Sequence, residues 1–227
     1  LEASLDNHMR GAELIIKPLI PRVLAKDLIY HPPINLISQY RTYYGAHDSP
    51  NRIHNIKLGS KILDNYILLS GEILSLLPLF GEFDSGRGFK EAYVIIGGEL
   101  APQYGGGVCQ IATTLYNAAM LVDLEILERK NHAIWFTIYP LGRDVGVYPG
   151  ISDLKIKNST PHPLMIKAAA GDKYLTFKIF GTRQKKRVLF SKPEITYKEN
   201  ETEVTTTEVD FSKIGRPFST RVIKSVY

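Results

Sequence analysis

The stretch GGGVCQIATTLYNAA, residues 105–119, decides the fold that we predict for this chain. Its three glycines, residues 105–107, predict a tight loop, because glycine tolerates positive φ angles and close approach of other backbone. The mostly apolar residues that follow predict a buried helix from about Cys109 to Val122. The cysteine would then lie at a helix N-terminus, where unpaired N–H groups and the helix dipole favour a thiolate.

Strand-like runs surround this helix on both sides, and turns rich in Pro and Gly separate them. The resulting fold class is α+β: a mainly antiparallel sheet with one central helix that carries the cysteine at its N-terminus, plus a β-rich C-terminal extension. We divide the chain into an N-terminal lead-in (1–39), a catalytic domain (40–182) and the extension or linker (183–227). The predicted regular elements are a helix at 51–64 and strands at 36–44, 66–69, 93–96, 133–139, 145–148, 154–157, 163–170 and 174–180.

Composition narrows the function classes. The chain has 227 residues, 44% of them hydrophobic, and one cysteine, which excludes an intrachain disulfide and a zinc site built on several thiolates. The net charge is +5, but basic residues are not interleaved with aromatic ones, so we expect no nucleic-acid partner. No run of 18 apolar residues occurs. Because the sequence begins at Leu1 rather than Met, we interpret it as a piece of a longer protein.

One stripe of polar side chains follows the otherwise apolar central helix. Helical spacing places these residues on one face, and they form either a wall of a site or simply the wet side of the helix. The backbone N–H groups of the glycine loop are candidates to hold an oxyanion. The polar and glycine candidates are Gly106, Gly107, Gln110, Thr113, Thr114 and Asn117.

A histidine downstream of the helix is the candidate base for the thiol. His132 precedes a predicted strand that returns beside the helix, which would bring its imidazole to Cys109. A third residue should orient the imidazole, and we prefer Asp153 over Asp144 for that role.

Arginines offer a way to bind a substrate carboxylate bidentately, although surface pairing with nearby carboxylates explains them equally well. The candidates are Arg87, Arg129 and Arg143, with Asp144 among the neighbouring groups. No metal-binding motif and no phosphate-binding glycine loop occurs, so we predict no metal and no cofactor.

The run from Gly105 to Ala119 resembles the signature of the VanW domain family, and the resemblance covers about residues 40–182. This chain departs from the usual family pattern at Leu77, Ala133 and Val145. Supporting matches are Arg52–Asn55, Gly71–Glu72, Gly88–Ala92, Glu128–Arg129, His132, Gly142–Asp144, Asp153–Asn158 and Gly181.

The resemblance implies L,D-transpeptidation of peptidoglycan, with Cys109 as nucleophile and His132 as its partner. We therefore expect stem peptides as the partner, a location in the cell envelope outside the cytoplasm, and membrane contact only through parts outside this chain. Hydrolysis would make the same site an L,D-carboxypeptidase. A papain-like cysteine peptidase or amidase, with Gln103 as oxyanion donor, and a non-catalytic wall-binding module remain alternatives. The oligomeric state stays open.

Overall fold

The computed structural model describes residues 22–45, 48–96, 99–183, 188–198, 201–210 and 218–227. Antiparallel sheets and a few helices make up this part of the chain, which confirms the predicted α+β class with mainly antiparallel strands. None of its helices is long and apolar enough to cross a membrane. The helices are α1 (Ala25–Leu28), α2 (Pro50–Leu63), α3 (Leu76–Phe80) and α4 (Val108–Met120).

The largest sheet around α4 has four antiparallel strands in the order β1-β9-β8-β2. Two smaller sheets complete the surroundings of the helix: β3-β7-β6 and the hairpin β4-β5. The strands are β1 (Asn35–Tyr43), β2 (Tyr66–Leu68), β3 (Ile73–Ser75), β4 (Glu91–Ile96), β5 (Glu99–Tyr104), β6 (Glu125–Glu128), β7 (Lys155–Lys157), β8 (Leu164–Ala170) and β9 (Tyr174–Gly181).

Helix α4 lies in the middle of the hydrophobic core. Ile111 and Leu115 are fully buried, and they belong to one cluster with Phe80 of α3 and Phe177 of β9. A helix that is buried on every side must be mostly apolar, and any polar residue on it must find a partner inside the protein. The composition of residues 108–120 meets the first condition, and the buried hydrogen bonds described below meet the second.

The predicted strand at 133–139 is wrong, because these residues form bends and turns. Their aromatic and β-branched side chains, which suggested a strand, instead pack around His132 or remain exposed, as Ile134 and Trp135 do. Residues 145–148 likewise form only isolated bridges, of which Lys130 to Gly146 is one.

A fourth sheet, the C-terminal sheet, occupies the part predicted as an extension or linker. It is built from β10 (Val188–Phe190), β11 (Glu194–Lys198), β12 (Glu201–Asp210) and β13 (Phe218–Val226). Ile223 belongs to the main core cluster, and a Cβ atom at Gly142 would lie 2.8 Å from Val204 Cγ1. This sheet is therefore packed closely against the rest of the chain. At the N-terminal end, β1 runs across the boundary that was predicted at residue 40. The division of the chain into three segments stays a prediction.

Candidate catalytic site

Cys109 is the second residue of α4, directly after the glycine loop. Gly107 caps the helix with a φ of 108°, and a Cβ atom there would lie 2.9 Å from Ile56 Cγ1. Only glycine combines this left-handed conformation with so close a neighbour. Gly106 is equally confined, because a Cβ atom would lie 2.8 Å from that of Ala92. The glycines thus turn the chain sharply into α4 and present the cysteine at its first turn.

The thiol of Cys109 contacts the backbone of Val147 and has the imidazole of His132 as its titratable neighbour. Val147 N–H donates to Sγ at 3.4 Å, and Sγ lies 3.7 Å from the carbonyl oxygen of the same residue. Cys109 is partly buried and interacts electrostatically with the His132 side chain. The sulfur therefore has one fixed backbone donor and one titratable partner, which is the environment that a thiolate needs.

Asp144 orients His132. Its Oδ2 lies 2.7 Å from His132 Nδ1 and accepts the backbone N–H of the same histidine at 2.8 Å. Because Nδ1 is occupied in this way, Nε2 is the ring nitrogen left for Cys109. Asp144 is fully buried, and its Oδ1 accepts a hydrogen bond from the hydroxyl of Tyr227 at 2.5 Å. Cysteine, histidine and aspartate thus form a connected chain of side chains.

The preference for Asp153 as the orienting residue is wrong in this structure. Its carboxylate accepts hydrogen bonds from the Ser75 hydroxyl and from the N–H of Leu77, at 3.1 Å for the latter, and so holds the turn between β3 and α3. Asp144 faces His132 because the antiparallel bridge between Lys130 and Gly146 closes the intervening loop. His132 and Asp144 each lie two residues inside that bridge, at opposed positions.

Electrostatics favour a thiolate–imidazolium pair. Burial opposes charge on the Cys109 sulfur, but the hydrogen bond and positive charge of His132 outweigh it and lower the pKa of the thiol. Burial also opposes charge on the imidazole, but the hydrogen bonds to Asp144 and Cys109 raise the pKa of His132 to about 9. Burial disfavours the Asp144 anion too, yet its donors, His132 first, lower the pKa of the carboxyl. All three shifts favour placing the shared proton on the imidazole.

Aromatic rings enclose the imidazole. Tyr139 stacks on His132 with ring centroids 5.6 Å apart, and Phe136 meets it edge-on at 5.0 Å. Tyr148 approaches from another side at 6.4 Å. These contacts fix the plane of the ring, and they exclude water from one side of the pair.

A cleft with a volume of about 710 Å³ opens over the thiol and the imidazole. One wall comes from the β4-β5 hairpin and the other from residues 136–149, and the start of α2 closes one side. Arg52 lies there with Nη1 2.6 Å from Asp48 Oδ2, and its charge contributes to lowering the pKa of Cys109. Sequence reasoning missed Arg52 as a site residue, although it begins one of the segments that carry the family resemblance.

The polar stripe of α4 is neither a wall of the cleft nor a wet surface. All four of its side chains are fully buried. Gln110 donates to Thr42 Oγ1 and accepts from Arg52, both at 2.9 Å. Thr114 lies 2.7 Å from the Thr42 hydroxyl, Thr113 accepts the N–H of Val145 at 2.9 Å, and Asn117 donates to Arg143 O at 2.9 Å. The stripe therefore attaches α4 to β1 and to the loop that ends at Asp144.

The three arginines proposed to bind a carboxylate do not line the cleft. Arg87 donates to Phe80 O at 3.4 Å, and Arg143 packs over the Phe190 ring at 3.9 Å. Arg129 donates to the carbonyl of Asp144, with its Nη2 3.5 Å from Asp144 Oδ1. Their contacts are with the protein itself, so the substrate-binding prediction for them is not supported by their positions. No group of three or more metal-ligating side chains occurs within the described ranges.

Comparisons with known proteins agree on one family. The family model described as "VanW like protein" matches residues 51–180. "Uncharacterized protein YoaR" of Bacillus subtilis (strain 168) is 34% identical over 142 residues, which are 63% of this chain and 46% of that protein. "Vancomycin B-type resistance protein VanW" of Enterococcus faecalis (strain ATCC 700802 / V583) is 27% identical over 139 residues, 59% of this chain and 50% of that protein. The chain spans about half the length of these relatives, and no solved structure matches it.

Proposed function

Because this chain belongs to the VanW-like protein family, we propose that it is a cysteine acyltransferase, a peptidoglycan L,D-transpeptidase that joins stem peptides by 3–3 cross-links. The observation that carries the proposal is the Cys109–His132–Asp144 chain at the base of an open cleft. A cysteine kept only for packing has no need of a buried, aspartate-bound imidazole beside it. The vancomycin resistance in the name of the Enterococcus relative supports a substrate in the cell wall and a location in the cell envelope.

The first half-reaction uses the ion pair directly. The Cys109 thiolate attacks the carbonyl carbon between the third residue of a stem tetrapeptide and its terminal D-Ala. His132, already protonated, gives its proton to the departing amine of D-Ala as the C–N bond breaks. A thioester remains on Cys109, and the imidazole is left neutral and bound to Asp144.

The second half-reaction restores the enzyme. The side-chain amine of a second stem peptide attacks the thioester carbonyl, and the neutral His132 takes the proton that this amine loses. The C–S bond then breaks, the new amide is the cross-link, and the proton on His132 re-forms the resting ion pair. Attack by water in place of the amine releases a tripeptide and makes the protein an L,D-carboxypeptidase.

The donors for the tetrahedral oxyanion are fewer than the sequence suggested. The N–H groups of Val108 and Gln110 already donate to Gly105 O at 3.1 Å and Gly107 O at 3.0 Å. The Gln110 side chain is fully buried. We therefore assign the backbone N–H of Cys109 to the oxyanion, with the side chain of Gln103, which lines the same cleft, as a second donor.

Incubation with disaccharide-tetrapeptide muropeptides tests the proposal. We expect the unmutated chain to form dimers that lack one D-Ala, detected by mass spectrometry, and a Cys109→Ala variant of equal melting temperature to form none. If tripeptide monomers form without dimers, the protein is an L,D-carboxypeptidase and not a transpeptidase. Dimers from both proteins would show that Cys109 is not the nucleophile.

The second candidate is a papain-like cysteine peptidase or amidase that acts on wall peptides. The position of Gln103 in the cleft with Cys109 and His132 favours it, because such enzymes use a glutamine as oxyanion donor. Free D-amino acid or amine acceptors distinguish the two. They should raise the yield of acyl-transfer product for a transpeptidase and leave a hydrolase's tripeptide yield unchanged. Absence of any product from folded protein would favour a non-catalytic wall-binding module.

A further inference from the structure

Strand β13 and the residue after it contact the loop that bears His132 and Asp144. Arg129 donates to Lys224 O at 3.0 Å and to Ser225 Oγ at 2.9 Å. Asn131 donates to Val226 O at 2.6 Å. The two residues that flank the start of this loop are thus held by the backbone and side chains of a single strand.

Tyr227 reaches the catalytic carboxylate itself. Its hydroxyl donates to Asp144 Oδ1 at 2.5 Å and accepts the N–H of Gly142 at 3.2 Å. Paired backbone hydrogen bonds with Thr202, both at 3.0 Å, fix the position of Tyr227. Because His132 is bonded to Asp144 Oδ2, each of the two carboxylate oxygens has its own side-chain partner.

We propose that Tyr227 is a positioning residue for the catalytic site, so that the C-terminal sheet, which holds Tyr227, contributes to catalysis and is not a linker. The inference rests on the proposed function of the Cys109–His132 pair. Tyr227 acts through Asp144: its hydroxyl prevents the carboxylate from rotating away from His132 Nδ1.

The direction of the effect follows from this geometry. A carboxylate that can rotate spends less time bonded to the imidazole, so the imidazolium is less stable and the thiolate less populated. If the hydroxyl only spread the negative charge of Asp144, its loss would strengthen the bond to His132 and raise the thiolate population. The sign of the change therefore separates positioning from charge screening.

Iodoacetamide alkylation of Cys109 measures the thiolate population without any wall substrate. For Tyr227→Phe we expect the rate at pH 6.5 to fall by about threefold to tenfold, the change that half to one unit of pKa produces. Tyr197→Phe is the matched control, because Tyr197 is 79% exposed in the same sheet. The alkylation rate of Tyr197→Phe should equal that of the unmutated chain. Both variants should have melting temperatures within a few degrees of that of the unmutated chain.

An unchanged or faster alkylation rate in Tyr227→Phe overturns the positioning role. An equal loss in Tyr197→Phe overturns it too, because the effect would then belong to the sheet and not to the hydroxyl. The readout is independent of turnover, so it remains decisive if the muropeptide assay finds no transpeptidation. A muropeptide assay without product would refute the proposed reaction, whereas slower alkylation of Tyr227→Phe would still establish the coupling between Tyr227 and the thiol.

Discussion

Replacing Asp144 by Asn removes the charge that stabilises the imidazolium while it keeps the size of the side chain. The buried bond from His132 Nδ1 to Asp144 Oδ2 measures 2.7 Å. A hydrogen bond to a charged group contributes about 1.5–3 kcal/mol, and one pKa unit corresponds to about 1.4 kcal/mol. We therefore expect the pKa of His132 to fall by about one to two units from its value of about 9.

Two assays report this change. The alkaline limb of the activity profile reflects loss of the His132 proton, so it should move from near pH 9 to lower pH by the same amount. The iodoacetamide rate at pH 6.5 should fall by about tenfold or more, because the neutral thiol–imidazole pair gains population at the expense of the ion pair.

Asp153→Asn provides the control, since Asp153 is buried at 5% exposure like its counterpart but bonds to Ser75 and Leu77. This variant should melt earlier and yet keep the alkylation profile of the unmutated chain. The reasoning is refuted if Asp144→Asn keeps that profile, or if Asp153→Asn shifts it by as much.

Two further substitutions test residues that support the site, with urea titration as the measurement. Gly107→Ala should lower the free energy of unfolding by about 1–3 kcal/mol, because its φ of 108° and the 2.9 Å approach to Ile56 penalise a side chain. Gly71→Ala is the control: its φ is 75°, nothing lies within 4 Å of the added Cβ, and its free energy of unfolding should fall by less. Gln110→Leu should lower it by about 1–3 kcal/mol, since Arg52 and Thr42 lose a buried partner, whereas Gln103→Leu on the exposed cleft wall should leave the unfolding midpoint unchanged. Equal effects within either pair would contradict the burial argument.

Local signals in the sequence predicted the central helix and most of the large sheet. The glycine triad and the apolar run after it gave a helix from 109 to 122, and the structure has Val108–Met120. Strand β1 lies within one residue of its predicted bounds at each end. These elements are readable because their periodicity and their glycines depend on neighbours in the chain alone.

The identity of the orienting carboxylate and the burial of the polar stripe could not be predicted from local sequence in the same way. Asp144 and Asp153 both follow turns, and only the bridge from Lys130 to Gly146 decides which of them faces His132. The predicted runs on either side of Pro140 and Gly142 already suggested a closing loop, which was the available signal. The prediction of a strand at 133–139 was wrong because the aromatic rings of this segment pack against the His132 imidazole and not in a sheet. Tyr227 had no local signal, since its partner lies 83 residues away.

The buried polar stripe of α4 fixes the rotation of the helix about its own axis. An α-helix turns by about 100° per residue, so a slip of one position would swing Gln110, Thr114 and Asn117 away from their hydrogen-bond partners outside the helix. Only one rotational setting of the helix satisfies them all, and that setting aims the sulfur into the cleft. The β4-β5 hairpin on one wall of the cleft, by contrast, shares no hydrogen bond with these three side chains within the described part of the chain. We expect the choice of substrate to be free to drift during evolution, or under directed selection, while the reactivity of the nucleophile stays constant.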